Sequence, residues 1–261
     1  MSEDILLTDI FGGRAPLTLN RPNVHNAFDD ELMSRLNGEL ERLERDSTVV
    51  VVLAAEGKSF CAGADLNWMK RMADYTEAEN LADAEAVARL MNSLHCLSKP
   101  TIARVQGAAF GGGVGLVACC DIAIASEAAL FSLSEVKLGL VPAMISPYVI
   151  AAIGERQARR YMLSAERFDA WKSLRIGLVH AVVAAAELDQ AVDDMAGALL
   201  ENGPKSMAEV KDLIGSVAGR PIDNGLIRET AARIARVRVS DEGREGVAAF
   251  LGKRKPDWGK C

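Results

Sequence analysis

Residues 100–142, PTIARVQGAAFGGGVGLVACCDIAIASEAALFSLSEVKLGLVP, restrict the fold more than any other part of the chain. Thr101–Val105 is β-branched and apolar and is bounded by Pro100 and Gly107, which marks a buried strand. Gly111, Gly112 and Gly113 follow, and residues 114–120 then carry no charge, so a helix there is buried on all sides. A strand that passes through a glycine turn into a helix aims backbone N–H groups at one point. That suits an anion or a polarised carbonyl. Asp121 closes the helix, residues 122–125 read as another strand, and a short segment leads to Ser134-Glu135.

The rest of the chain extends this α/β pattern. Residues 5–11 and 17–19 flank Gly12-Gly13 and predict a β-hairpin. Asn20-Arg21-Pro22 breaks the second strand. Asp29 is placed to cap a helix whose Leu32, Leu36, Leu40 and Leu43 share one face. Residues 48–54 are a continuous apolar run, the pattern of a strand buried on both faces. Residues 56–67, EGKSFCAGADLN, are rich in small side chains and predict a loop. Thr76 and Glu79 form a capping box before a long helix striped by Leu81, Ala84, Ala88, Met91 and Leu94, with His95 near its end. Ser146-Pro147 predicts a capped helix start, and a second short helix follows Gly154. Past Val183 the strand signals stop, and residues 188–200, 204–217, 226–239 and 242–251 all read as helices. The expected organisation is α/β, with a core over residues 1–187 and a helical assembly region over residues 188–261.

Composition narrows the function classes. The 261 residues are 49% hydrophobic, enough for a full core. The net charge of −6 argues against a nucleic-acid or anionic-membrane surface, which needs a basic face. The five cysteines lack CxxC spacing, and their odd number suits reduced thiols. The acidic start, MSEDILLTDI, has no signal-peptide core and no apolar run reaches membrane-span length, so a soluble cytoplasmic protein is expected. His25, His95 and His180 are scattered, which predicts no metal site. Cys61 has no identifiable histidine partner and reads as a packing residue.

Two loops together carry a family resemblance. SFCAGADLNWM (residues 59–69) and VQGAAFGGGVGLVACCDIAIA (residues 105–125) resemble the two signature segments of the enoyl-CoA hydratase/isomerase, or crotonase, superfamily. LNRPNVHNAF, LSEVKLGLVP and the terminal EGVAAFLGKRKPDW extend the resemblance in the same order over nearly the whole chain. Within the superfamily, SEVKLGLVPAMISPYVIAAIGERQARRY looks most like bacterial methylglutaconyl-CoA hydratases of leucine breakdown. The resemblance implies a spiral of ββα units with a C-terminal helical region, assembled as a homotrimer or a dimer of trimers. It implies no metal and no redox cofactor, with coenzyme A present only as the handle of an acyl-CoA thioester substrate.

By the same resemblance, the backbone amides of Ala64 and Gly112 form an oxyanion hole, and Glu135 handles the proton. Packing is the plainer reading of residues 111–113 and coexists with that role. Ala62, Ala64, Asp65 and Leu66 match the CoA-binding segment, joined by Gly111, Gly112 and Gly115. Family hydratases place a second glutamate where this chain has Gly115. One carboxylate suits either a hydratase or a Δ3-Δ2 enoyl-CoA isomerase, and the resemblance to methylglutaconyl-CoA hydratases favours hydration. A non-catalytic CoA- or RNA-binding member of the fold is the alternative from another class. Lys70 or Arg71 is a candidate partner for a distal substrate carboxylate. Lys253, Arg254 and Lys255 are candidates for CoA phosphates, with a solvated basic tail as the plainer reading. Trp68 and Met69 are expected to line the acyl pocket or the core.

Overall fold

The computed structural model describes residues 4–47 and 49–260, so Thr48 of the expected strand and Cys261 lie outside the described residues. Contacts divide the chain into a first compact unit ending at Gly197 and a second beginning at Ala198, whereas the sequence pattern placed the change at residue 188.

The first unit begins with the hairpin, β1 (Leu6–Thr8) and β2 (Arg14–Leu19), turned at Gly12-Gly13. Helix α1 (Asp30–Arg45) follows, its first turn capped by Asp29, whose side chain accepts from Leu32 N–H. Next come β3 (Val50–Ala55), β4 (Ser59–Cys61) and α2 (Leu66–Met72). The stretch expected to be a loop over residues 56–67 thus holds a short buried strand and the start of a helix. Its small side chains reflect close packing between layers. Helix α3 (Glu77–Cys96) carries the expected Thr76/Glu79 capping box.

β5 (Thr101–Val105) does not run directly into the glycine turn. The chain bends at Gln106-Gly107 and forms a separate strand, β6 (Ala108–Phe110), before α4 (Gly112–Cys119). A Cβ on Gly107 would sit 1.9 Å from Lys58 O, so this corner admits only glycine. Then follow β7 (Ile122–Ser126), β8 (Leu130–Ser132) and α5 (Ser146–Ser164), which is broken at Gly154 where φ is +73°. Ser146 is the first residue of α5 and not its cap; its hydroxyl donates instead to Ala143 O. β9 (Phe168–Asp169), α6 (Ala170–Ile176) and β10 (Ala181–Val183) complete the α/β part, and α7 (Leu188–Leu200) begins in this unit and ends beyond its boundary at Gly197.

Among the described residues the strands form two sheets. The longer has the order β1-β2-β3-β5-β7-β10 and is parallel from β2 onward. The shorter has the order β4-β6-β8-β9. Each pass of the chain therefore adds one strand to the longer sheet and, at three of the corners, one to the shorter. Leu17, Leu53, Ala103, Val105 and Ala123 of the longer sheet join one buried cluster with Leu32, Leu36 and Leu40 of α1 and Leu90, Met91 and Leu94 of α3.

The second unit contains α8 (Pro204–Val217), α9 (Asn224–Arg238) and α10 (Asp241–Leu251). Its organiser is Glu242, buried in α10, whose carboxylate accepts from the backbone N–H groups of Lys205 and Ser206 at the start of α8.

Candidate active site

The junction of the two sheets brings the first signature loop against the glycine turn. Gly63 has φ +91°, and a Cβ there would lie 3.1 Å from Phe110 O and 3.8 Å from Gly112 N. Asp65 caps α2, its Oδ1 accepting from Asn67 N–H at 2.8 Å and Trp68 N–H at 3.3 Å. Residues 62–65 are pinned to the segment 25–28 by three backbone bonds. Ala62 N–H donates to His25 O, Phe28 N–H to Gly63 O and Asp65 N–H to Phe28 O. The N–H of Ala64 lies between the last two bonds and takes part in neither.

The glycine turn brings a second backbone N–H close to this loop. Gly111 N–H donates to Ser132 O at 2.9 Å, which fixes the turn to β8. Gly112 opens α4, so its N–H is one of the first-turn donors without an intrahelical acceptor. A Cβ on Gly112 would lie 2.4 Å from Phe28 Cε2, and one on Gly113 2.3 Å from Cys61 O. The triple glycine therefore packs the layers closely, and the first-turn N–H of Gly112 has no acceptor within its helix.

Glu135 opens a short 3₁₀ turn, Glu135–Leu138, after β8. Its Oε1 lies 3.0 Å from the point where a Cβ on Gly111 would sit. Its Oε2 is buried and has no hydrogen-bond partner among the described residues. Burial raises its pKa, only partly offset by a hydrogen bond from its own backbone N–H. A buried carboxylate oxygen without a donor is uncommon in a protein and is suited to receive a proton or a water.

One helical turn beyond Gly111, Gly115 is sealed. A Cβ there would lie 2.2 Å from Ile145 Cγ2, 2.8 Å from Ile145 Cβ and 3.3 Å from Met91 Sδ. Gly115 N–H donates to Gly111 O at 3.3 Å, so the glycine beside the Glu135 carboxyl and the glycine beside the Ile145 side chain are one hydrogen-bonded turn apart. Gly115 contributes no surface of its own, and the side chain presented at that position is Ile145.

The other sequence candidates are dispersed. Ala62 is half-buried, whereas Leu66 is 74% exposed beside the loop. Trp68 is buried and donates from Nε1 to Asp83, whose carboxyl is raised in pKa by burial. Met69 is half-buried and Lys70 exposed, while Arg71 is held by Asp30. In the second unit, both terminal nitrogens of Arg254 bind the Glu245 carboxylate and Lys255 lies 3.5 Å from Glu201. Burial pushes the Cys61 thiol up to about 12, so it is no nucleophile near neutrality. Among the described residues, no cluster of His, Cys, Asp and Glu is placed to hold a metal, and no helix is long and apolar enough to cross a membrane. A cleft of about 500 Å³ lies away from Glu135, and its arginines are already matched, Arg14 with Asp193 and Arg104 with Asp189.

Two residues absent from the sequence candidates support the first loop. Asn26, fully buried with φ +54°, accepts from Arg21 N–H and donates to Glu56 O and Ser59 O. Arg21 reaches Ala27 O, Asp29 and Asp65. Polar residues crowded after a strand, in LNRPNVHNAF, were the available signal.

The profile of the enoyl-CoA hydratase/isomerase family matches residues 12–260. A crystal structure of an enoyl-CoA hydratase from Shewanella pealeana superposes with a TM-score of 0.95 at 50% identity, covering 98% of this chain and 97% of that one. The short-chain-enoyl-CoA hydratase of Clostridium acetobutylicum is 32% identical over 94% of this chain and 93% of its own. The 2,3-dehydroadipyl-CoA hydratase of Escherichia coli is 32% identical over 93% of each chain.

Proposed function

This chain belongs to the enoyl-CoA hydratase/isomerase family, and from that premise we propose that it adds water reversibly to a short α,β-unsaturated acyl-CoA. The observation that carries the reading is the Glu135 carboxyl, half-buried over Gly111 with Oε2 unpartnered among the described residues, beside the first-turn N–H of Gly112. In the proposed reaction, the thioester oxygen is held by the N–H groups of Ala64 and Gly112. Negative charge builds there as water adds to Cβ. Glu135 takes a proton from the attacking water and delivers one to Cα, so that H and OH add across the double bond and the carboxylate is restored. The raised pKa of Glu135 suits a group that must both accept and return a proton.

The substrate proposed is a branched enoyl-CoA with a distal carboxylate, 3-methylglutaconyl-CoA or a close analogue. The 2,3-dehydroadipyl-CoA hydratase among the relatives supports a carboxylated acyl group by its name. The proposal includes assembly as a trimer or a dimer of trimers in the cytoplasm. The exposure of Ile214, Ile222, Phe250 and Leu251 in the helical unit supports it.

Isomerisation of a Δ3-enoyl-CoA is the second reading. It is favoured by Ile145 filling the position where a second carboxylate would stand, because moving a proton between two carbons needs one carboxylate only. Incubating the enzyme with Δ2- and Δ3-enoyl-CoA thioesters and weighing the products separates the two. A product heavier by one water from the Δ2 substrate establishes hydration. An unchanged mass with new conjugated absorbance from the Δ3 substrate, with no water gained by the Δ2 substrate, establishes isomerisation and overturns hydration.

A further inference from the structure

We infer that Arg21 is a positioning residue for the oxyanion donors, clamping the first loop so that Ala64 N–H and Gly112 N–H face one oxygen. The inference rests on the oxyanion reading above and adds the residue that sets its geometry. One Arg21 nitrogen donates to Ala27 O at 2.6 Å. The other lies 2.8 Å from Asp29 Oδ2 and 3.2 Å from Asp65 Oδ2. Both acids use their remaining oxygen as a helix N-cap. Asp29 Oδ1 accepts from Leu32 N–H at the start of α1, and Asp65 Oδ1 accepts from Asn67 N–H at the start of α2. The guanidinium therefore ties two helix starts and one loop carbonyl into a single unit, with side-chain exposures of only 17%, 19% and 6% for Arg21, Asp29 and Asp65.

Both donors depend on that unit. Ala64 is carried between Gly63 and Asp65, each bonded to Phe28, and Phe28 is the residue after Ala27. The Phe28 ring is also what Gly112 packs against, its Cε2 being 2.4 Å from the Gly112 Cβ position. A shift of the 27–28 segment consequently moves one donor through backbone bonds and the neighbour of the other through contact. The planar fork is what allows one side chain to serve a carbonyl and two carboxylates together. A lysine ammonium is a single point with no such spread.

The test is Arg21→Lys and Arg21→Gln, read by turnover at saturating substrate, by thermal unfolding and by the infrared carbonyl stretch of a bound probe. The probe is an aryl-conjugated enoyl-CoA carrying a heavy isotope at the thioester carbonyl, which resists hydration. In the parent enzyme the stretch falls on binding, because the donors polarise the carbonyl. A parent enzyme with no such fall refutes the oxyanion reading itself. Misplacing reacting groups by about 1 Å can cost roughly 10²-fold, so Arg21→Gln is expected to lose about that in kcat, with KM changing less. Arg21→Lys, which keeps the charge, is expected to retain part of the turnover and part of the carbonyl shift. Parent-like carbonyl frequency and kcat in a folded Arg21→Lys or Arg21→Gln enzyme would overturn the inference. So would a variant that melts early yet keeps the parent frequency, since Arg21 would then serve stability alone.

Discussion

Adding one methyl group at Gly115 is the sharpest test of how the wall beside Glu135 is built. The methyl carbon would stand 2.2 Å from Ile145 Cγ2 and 2.8 Å from Ile145 Cβ. Rotation about χ1 can move Cγ2 but leaves Cβ where the backbone holds it, so a change of rotamer alone does not clear the overlap. Overpacking a well-filled core costs about 1–3 kcal/mol, and a contact this close to the backbone belongs at the upper end. Replacing glycine by alanine inside a helix returns about 1 kcal/mol. Gly115→Ala is therefore expected to lose about 2 kcal/mol net, by the difference of those two terms. Ile145→Ala alone opens a cavity at a side chain that is 3% exposed and should lose about 2–5 kcal/mol. In the double variant the new methyl enters the space the isoleucine vacated, so the two losses do not add. A favourable coupling of at least about 1 kcal/mol is expected in urea unfolding at one fixed protein concentration. Additivity to within about 0.5 kcal/mol would show that Ile145 does not seal Gly115 and would refute the reasoning.

Glu135→Gln should cut kcat by roughly 10²–10⁴-fold with little change in thioester binding, and a folded, binding variant near the parent rate would remove Glu135 from the mechanism. The raised pKa of Glu135 means the folded state holds this proton more tightly than the unfolded chain, so stability falls as pH rises from the ordinary glutamate value through the raised one. Glu135→Gln should flatten that slope, which pH-dependent melting measures; an unchanged slope would contradict the burial of this carboxyl. Cys61, buried with its thiol pushed up to about 12, should stay unlabelled by a thiol reagent at neutral pH while exposed Cys96 reacts, as peptide mass mapping would report. Sedimentation equilibrium at micromolar protein should give three or six chains, and a single-chain mass would refute the proposed assembly.

Local chemistry made much of this structure readable from sequence. Asp29, the Thr76/Glu79 box and Gly154 act within their own few residues, and each expected cap or break is present. The corner at Gly107 was not readable, because what forbids a side chain there is Lys58 O, a neighbour distant along the chain. The short strand β4 was hidden for a different reason: it and its partner β6 are only three residues long, and neither has room for an alternating pattern. In the candidate site, the glycines, Ala64 and Glu135 were legible through the family resemblance. Arg21 looked like part of a strand break, since its three partners converge only after two helices and a loop have folded. Ile145 carries no signal in the sequence, because its contact with Gly115 exists only in the folded chain.

The strand order of the longer sheet has a consequence for how the chain comes into being. Apart from the hairpin, every strand of that sheet pairs with the one laid down before it, and the pairing never returns to an earlier edge. A chain emerging from a ribosome N-terminus first would always find its template already exposed, with β3 waiting for β5 and β5 for β7. Such a sheet can grow vectorially, by repeated addition at one open edge, and needs no closing contact between the first strand and the last. Each strand in turn is the open edge until the next arrives, and the longest stretch of chain between neighbours lies between β7, ending at Ser126, and β10, beginning at Ala181, so that interval is when a nascent chain would be most exposed to pairing with a stranger.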